Sequence, residues 1–156
     1  MSARRTKVQP QLRTTLWKAE VPSERSEANL LKLRAATQAY IAPAVERVLR
    51  SADVTTENVI VNNVLCLEVQ PSVITKPWKI LYGFGGGFIQ GSAFEDLTIA
   101  APLSSMTGAT VIIPSYRLAP EHPWPAGNDD GFAVYQALCD RPFAIVGETA
   151  GGNLAL

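Results

Sequence analysis

The feature of this sequence best suited to chemistry is a hydroxyl between two glycines, and it belongs to Thr149. Thr149 stands between Gly147 and Gly151 and follows the apolar run from Ala144 to Val146. This order of residue types predicts a buried strand, a sharp turn and the start of a helix. Glycines are needed where the strand and helix backbones nearly touch, and the central residue is held in a sparsely populated backbone region. The segment is typical of a nucleophile elbow.

Threonine is an unusual residue for the centre of such a turn. Its hydroxyl can act as a nucleophile, but its β-branch is disfavoured in the required backbone region and crowds an approaching base. Glycine-rich turns between a strand and a helix also hold phosphate groups, and many only reverse the chain. The segment alone therefore leaves three interpretations open: a nucleophile, an anion site or a structural turn.

A second group of glycines follows another predicted strand. Gly85, Gly86 and Gly87 come soon after the run from Trp78 to Tyr82. Without side chains, these peptides can direct their N–H groups into a cavity. Two or three such donors stabilise the negative oxygen that develops when an ester carbonyl is attacked. The alternative interpretation is a flexible glycine turn.

The charged residues between the two glycine groups are predicted to have structural roles. His122 is the only histidine of the sequence, and its place in an Ala-Pro-Glu-His-Pro run favours a structural role over that of a catalytic base. Arg117 is predicted to bond buried backbone carbonyls. Asp129 and Asp130 open a predicted helix, where carboxylates complement the helix dipole. Asp140 is predicted to lie at the surface.

The elements that must position the glycine groups alternate in type along the second half of the chain. Strand, helix, strand, helix and strand in succession predict an α/β fold, with a mostly parallel sheet, right-handed crossovers and helices on both faces. The predicted elements are a helix from a Ser23 cap to about Arg50 that Pro43 kinks or divides, a hairpin of Val59–Val61 and Val64–Val69 with a turn at Asn62-Asn63, a strand Trp78–Tyr82, a helix Glu95–Met106 stopped by Gly108, a strand Thr110–Ser115, a helix from an Asn128 cap to Cys139, and a strand Phe143–Val146.

Composition restricts the classes of partner. The length of 156 residues is typical of a single domain. Because 14 basic side chains balance 14 acidic ones, we expect neither nucleic acid nor an anionic membrane as partner. No apolar run approaches the length of a membrane span. Cys66 and Cys139 lack metal-ligand spacing, so no metal is expected. Cys66 is predicted to be a small buried apolar residue. With no secretory leader pattern, the expectation is a soluble cytoplasmic protein.

Three segments in fixed order resemble a known family. Residues 82–88 (YGFGGGF), 116–123 (YRLAPEHP) and 147–153 (GETAGGN) are similar to the H-G-G-G, Y-R-L-A-P-E and G-D-S-A-G-G-N motifs of the hormone-sensitive-lipase-type branch of the α/β-hydrolases. The resemblance covers about residues 78–156. It implies an α/β-hydrolase fold and hydrolysis of carboxylic esters through an acyl-enzyme, with no metal or organic cofactor.

The resemblance also implies a role for each matching residue. Thr149 occupies the nucleophile's place, and the N–H groups of Gly86, Gly87 and Ala150 form the oxyanion hole. Phe84 stands where the family has a histidine that helps to hold the loop. The remaining motif positions are Gly85, Gly147, Gly151 and Glu148, the last in place of the family's aspartate.

The acid and the histidine of the triad follow the nucleophile in this fold, yet no Asp, Glu or His follows Thr149 here. We therefore expect residues 1–50 to be an N-terminal arm with a cap-like helical segment and residues 51–156 to be the N-terminal half of a hydrolase domain, its C-terminal part missing. The expected partners are a small apolar ester or ligand and a complementary C-terminal half or a second copy. Three interpretations stay open: half of an esterase or lipase-like enzyme, a non-catalytic ligand receptor or interaction protein, and a truncated product without function.

Overall fold

A five-stranded sheet forms the centre of the computed structural model, which describes residues 26–156. The strands lie in the order β1-β2-β4-β3-β5. Strand β2 is antiparallel to both β1 and β4, whereas β3 is parallel to both β4 and β5. The elements are α1 (Glu27–Ala52), β1 (Val54–Val61), β2 (Val64–Pro71), β3 (Lys79–Gly83), α2 (Leu97–Thr107), β4 (Thr110–Pro114), α3 (Ala126–Leu138), β5 (Phe143–Gly147) and α4 (Ala150–Leu154).

The predicted hairpin is confirmed, with longer strands than the sequence indicated. Asn62 and Asn63 both have positive φ angles, 46° and 65°. Asparagine tolerates this left-handed backbone, and two such residues in succession match the twist of the strands on either side. The turn therefore fixes the register in which Val61 faces Val64.

The core occupies both faces of the sheet, as the alternation of strands and helices predicted. All five residues of β4 are buried, which is typical of a strand covered on both sides. Ile80 and Tyr82 of β3 pack on one face in a cluster that includes residues of α1 and α2. Leu81 packs on the other face with Val134 of α3. The α/β class with helices on both faces is thus confirmed.

Helix α1 departs from the prediction at its start and at Pro43. Ser26 is the N-cap, and its hydroxyl accepts the Asn29 N–H at 3.3 Å; the predicted cap, Ser23, lies outside the described residues. The helix continues through Pro43 to Ala52, so of the two predicted effects of Pro43, a kink or a division, the division is wrong. Proline removes one backbone hydrogen bond, and the complete burial of Val45 just beyond it offsets that loss by packing this part of the helix on the sheet.

The other two predicted helices are present, and both end where predicted, with Gly108 and Cys139 as their C-caps. Helix α2 ends at Gly108, which has a left-handed φ of 69° and donates its N–H to the Ser104 carbonyl at 2.9 Å. Helix α3 begins at Ala126, with Pro125 and not Asn128 at the N-cap. A proline fits at a helix start because its missing N–H needs no partner there.

Candidate active site

The nucleophile-elbow segment folds as a strand, a turn and a helix. Strand β5 ends at Gly147 and α4 starts at Ala150, with Thr149 between them at φ 41° and ψ −104°. This conformation is sparsely populated, above all for a β-branched residue, and costs of the order of 1–3 kcal/mol. The turn is held by Glu148, whose N–H donates to the Gly83 carbonyl at 3.1 Å and whose carbonyl accepts the Gly151 N–H at 2.8 Å.

Close backbone contacts explain why the turn contains glycines. A Cβ added at Gly151 would lie 2.0 Å from the carbonyl oxygen of Gly83, and one added at Gly147 would lie 2.2 Å from the carbonyl oxygen of Gly151. Both distances are far below van der Waals contact. The first turn of α4 is therefore pressed directly against the end of β3, which fixes where Thr149 stands relative to the loop after β3.

The glycine loop after β3 meets the elbow at this point. Gly86 and Gly87 have φ angles of 119° and 65°, which glycine adopts without strain. The Gly86 N–H donates to Thr149 Oγ1 at 3.4 Å, and Thr149 Oγ1 donates to a Glu148 carboxylate oxygen at 3.4 Å. The hydroxyl and the first predicted oxyanion donor are thus in contact. Both lie beyond the carboxyl ends of the neighbouring parallel strands β3 and β5, where ligands bind in open α/β sheets.

The remaining predicted site residues lie around this contact. Gly87 is exposed, whereas Ala150 is buried as the first residue of α4. A Cβ at Gly85 would overlap the Glu148 carboxylate and lie 2.7 Å from Thr149 Oγ1. The side chain of Glu148, one methylene longer than the family's aspartate, therefore occupies space that is free only because residue 85 is a glycine.

Phe84 holds its part of the loop by stacking. Its ring is 2% exposed and lies parallel to the ring of Tyr116, with the centroids 4.0 Å apart and an interplanar angle of 6°. The Tyr116 hydroxyl donates to the Phe84 carbonyl at 2.7 Å. The side-chain hydrogen bond expected of a histidine at this position is thus replaced by a ring contact and by a hydrogen bond to the main chain.

An acidic group that no sequence pattern indicated lies beneath the loop. Tyr82 donates its hydroxyl to Asp96 at 3.0 Å. Burial raises the pKa of Asp96, and the charge of Glu148 adds to this effect, while hydrogen bonds from Tyr82 and from the Gly85 backbone oppose it. Burial likewise raises the pKa values of Tyr82 and Tyr116. No local pattern pairs Asp96 with Tyr82, so only the fold could bring them together.

Two of the structural roles predicted for charged residues need correction. Arg117 does not bond mainly to carbonyls: its Nη2 and Nε contact the Asp130 carboxylate at 2.8 and 2.9 Å, and a single carbonyl, that of Ala126, accepts at 3.4 Å. Asp130 is therefore the partner of Arg117, where the sequence predicted only a carboxylate that complements the helix dipole. Burial opposes ionisation of Asp130, but the hydrogen bonds from Arg117 outweigh it and lower the pKa of that carboxyl.

The other sequence interpretations concern His122 and the cysteines. His122 is exposed, and its backbone N–H donates to the Leu118 carbonyl at 2.9 Å. Within residues 26–156, Thr149 Oγ1 forms hydrogen bonds with Gly86 and Glu148 and not with His122. Cys66 is fully buried, as predicted, and this burial raises the pKa of its thiol to about 11.

Along residues 26–156, no helix has the length and apolar character to cross a bilayer.

Comparison with known proteins agrees with this architecture. Residues 80–156 match the sequence model of a family described as alpha/beta hydrolase fold. An esterase of Acinetobacter venetianus is 40% identical over 82 aligned positions, in an alignment that covers 49% of this chain and 27% of that protein. Carboxylesterase NlhH of Mycobacterium tuberculosis is 33% identical over 85 residues, again 49% and 27% of the two chains.

Solved structures extend the similarity to almost all of the chain. A hormone-sensitive lipase from a metagenome library superposes with a TM-score of 0.77 at 31% identity, over 97% of this chain and 51% of that one. A second metagenomic homologue of hormone-sensitive lipase, EstE7, gives a TM-score of 0.74 at 32% identity, over 96% and 49%. The chain thus spans about half the length of these structures. The chain has the α/β-hydrolase fold.

Proposed function

We propose that this chain supplies the nucleophile elbow and the oxyanion hole of a carboxylic-ester hydrolase that acts on small apolar esters. One observation carries the proposal: the Gly86 N–H is directed at the Thr149 hydroxyl, 3.4 Å away, beyond the carboxyl ends of two parallel strands. The relatives named esterase and carboxylesterase support the same reaction class.

In the proposed reaction, Thr149 Oγ1 attacks the ester carbonyl and gives up its proton to a base. The bond from carbon to the alcohol oxygen then breaks, the alcohol leaves with a proton, and water hydrolyses the acyl-threonine. The N–H groups of Gly86, Gly87 and Ala150 stabilise the oxyanion of each tetrahedral intermediate. Removing one such donor from an oxyanion hole typically costs about 10²–10³ in kcat.

The base and its orienting carboxylate come, in this proposal, from a complementary C-terminal half of the hydrolase domain. Within residues 26–156, β5 pairs with β3 along one edge and presents the other edge unpaired. An open groove of about 730 Å³ lies between α3, α4 and the face of the sheet at β3 and β5. Its lining includes large apolar side chains exposed to between 37% and 82%: Trp124, Phe132, Tyr135 and Ile145. Half of a larger domain is expected to expose such a surface, and the solved relatives are about twice as long as this chain.

The catalytic part of the proposal is tested by complementation. The chain is mixed with the C-terminal half of the metagenomic hormone-sensitive lipase, and release of p-nitrophenol from p-nitrophenyl butyrate is measured. We expect Thr149→Ser to exceed the wild-type rate, because serine lacks the methyl group that crowds an approaching base, and Thr149→Ala to be inactive. A complex that forms but shows no turnover even with Thr149→Ser would refute the proposal. Saturable binding of an apolar ester by that inactive complex would favour a receptor.

The docking part has a separate test. Size-exclusion chromatography of the mixture should show a one-to-one complex that Ile145→Asp prevents, since Ile145 is 40% exposed on the open strand. Ile60→Asp is the matched control, because Ile60 is 68% exposed on β1 at the opposite edge of the sheet. If Ile145→Asp and Ile60→Asp form the complex to the same extent, the surface around Ile145 on β5 is not the docking site.

A further inference from the structure

A single arginine of α1 joins three parts of the chain that are far apart in sequence. The Arg34 guanidinium forms a paired contact with Glu121, with Nη1 at 2.6 Å from Oε1 and Nη2 at 3.0 Å from Oε2. Its Nε donates to the Ile89 carbonyl at 2.9 Å, and Nη2 also donates to the Ala119 carbonyl at 2.8 Å. The two charged side chains are only 19% and 23% exposed. Charge-assisted contacts of this paired geometry are strong and directional.

This contact anchors the part of α1 that packing leaves open. The two buried residues of the helix, Val45 and Ala52, both lie in its second half. In the first half, the side chains around Arg34 are exposed or only half-buried. Arg34 is therefore a polar attachment of this half to the hydrolase domain.

The Arg34 contact leads directly to the loop that carries the predicted oxyanion donors, residues 84–91, called here the oxyanion loop. Ile89, whose carbonyl accepts from Arg34, donates its own N–H to the Gly86 carbonyl at 3.2 Å, and Gln90 donates to the same carbonyl at 3.1 Å. The carbonyl of Phe88 accepts the Ala119 N–H at 2.9 Å. The Gly86–Gly87 peptide, which carries the Gly87 N–H, is thus tied through Ile89 to Arg34. Residues 88 and 89 are held both by Arg34 and by Ala119.

We propose that Arg34 is a positioning residue for the oxyanion loop, through which the cap-like helix α1 fixes the Gly86–Gly87 peptide and so sets the direction of the Gly87 N–H. Glu121 serves as the fixed partner that orients the guanidinium toward the Ile89 carbonyl. The structural part of this inference stands without the proposed function, and its catalytic consequence rests on that function. The substitution Arg34→Met keeps most of the apolar stem and removes every donor, so it isolates the polar contact.

Hydrogen exchange measured by mass spectrometry tests the structural part. Arg34→Met should speed exchange in peptides covering residues 84–91 by about tenfold or more, because several hydrogen bonds to a charged group are lost. Exchange in β4 should stay unchanged. Arg34→Lys should give an intermediate effect, since one ammonium cannot serve the carboxylate and two carbonyls in the same geometry.

Arg50→Met is the matched control. Arg50 lies on the same helix and pairs with Glu46 at 3.7 Å, but both side chains are more than 65% exposed. This variant should leave exchange in residues 84–91 at the wild-type rate. If Arg34→Met and Arg50→Met give the same loop exchange, or if Arg34→Met speeds exchange in β4 as much as in the loop, the inference is wrong. Should Arg34→Met fail to fold, Glu121→Gln removes the charged partner more gently and should speed loop exchange in the same region.

The catalytic consequence is read from the complemented enzyme. Arg34→Met should lower kcat with little change in KM, because the oxyanion donors act in the transition state more than in substrate binding. An unchanged kcat together with faster loop exchange would confine the role of Arg34 to structure. Absence of turnover in the unsubstituted complex would count against the proposed function and leave the exchange result valid.

Discussion

Replacing Gly151 by alanine is the substitution whose outcome the structure defines most sharply. Its added Cβ would lie 2.0 Å from the carbonyl oxygen of Gly83 and 2.6 Å from that of Phe84. Both atoms are backbone, so no side-chain rotation relieves the overlap. Ordinary contact begins near 3.4 Å, and α4 can reach it only by moving away from β3 and the loop that follows.

The expected cost combines two opposing effects. Overpacking in a rigid site costs typically about 1–3 kcal/mol, and the backbone contacts here place Gly151→Ala at the upper end of that range. Alanine in place of glycine within a helix stabilises the folded state by about 1 kcal/mol. A net loss of about 2 kcal/mol follows, which at a typical urea dependence of about 2 kcal/mol per molar lowers the unfolding midpoint by about 1 M. The same displacement should lengthen the 3.4 Å contact between Gly86 and Thr149.

The neighbouring glycine supplies the control for urea unfolding followed by circular dichroism. A Cβ at Gly152 meets its nearest atom, the Gly147 carbonyl oxygen, at 3.5 Å, which is ordinary contact. Gly152→Ala should therefore raise the midpoint slightly, in line with a gain of about 0.5–1 kcal/mol. If the two variants unfold at the same urea concentration, α4 does not press on β3 as described, and the geometry derived for the elbow is wrong.

Three further substitutions test the loop. Gly86→Ala should destabilise the protein and disorder the loop, because its Cβ would lie 2.0 Å from the Gln90 carbonyl oxygen at a φ of 119°; urea unfolding and hydrogen exchange measure this. Tyr116→Phe should cost about 1–3 kcal/mol, since it leaves the buried Phe84 carbonyl without its 2.7 Å partner. Asp96→Asn should stabilise the protein at neutral pH, because a carboxyl whose pKa is raised in the folded state opposes folding when it is ionised. The difference in stability between the wild type and Asp96→Asn should shrink as pH falls through the raised pKa and vanish below the ordinary carboxyl pKa. A constant difference across that range would contradict the assigned burial effect.

The order and type of the elements could be predicted because their signals are local. Paired asparagines between apolar runs define the hairpin turn, and Gly108 stops α2 by adopting a left-handed backbone. The elbow was recognisable for the same reason, since its glycines are required by contacts within a short segment of chain and the neighbouring strand.

The interactions that hold the loop could not be predicted because they join segments that are far apart. Arg34 and Glu121 are separated by 87 positions, and Tyr116 and Phe84 by 32. No sequence periodicity reports such pairs. The start of α3 was missed for a different reason: Asn128 is a good N-cap by type, but Pro125 upstream already fixes the first turn.

The three positions that depart from the family motifs affect different parts of the site. Phe84 replaces a polar loop contact by stacking on Tyr116, and Glu148 fills the space above Gly85. Neither change displaces the Gly86 N–H, which still meets the hydroxyl at the elbow. Thr149 alone alters the reacting group, because its methyl group crowds a base while its oxygen keeps the nucleophile's place. The position of the predicted oxyanion donors is therefore set by backbone contacts. Under the proposed function, Thr149→Ser in the complemented enzyme should consequently raise the rate of ester hydrolysis without any further change in this chain.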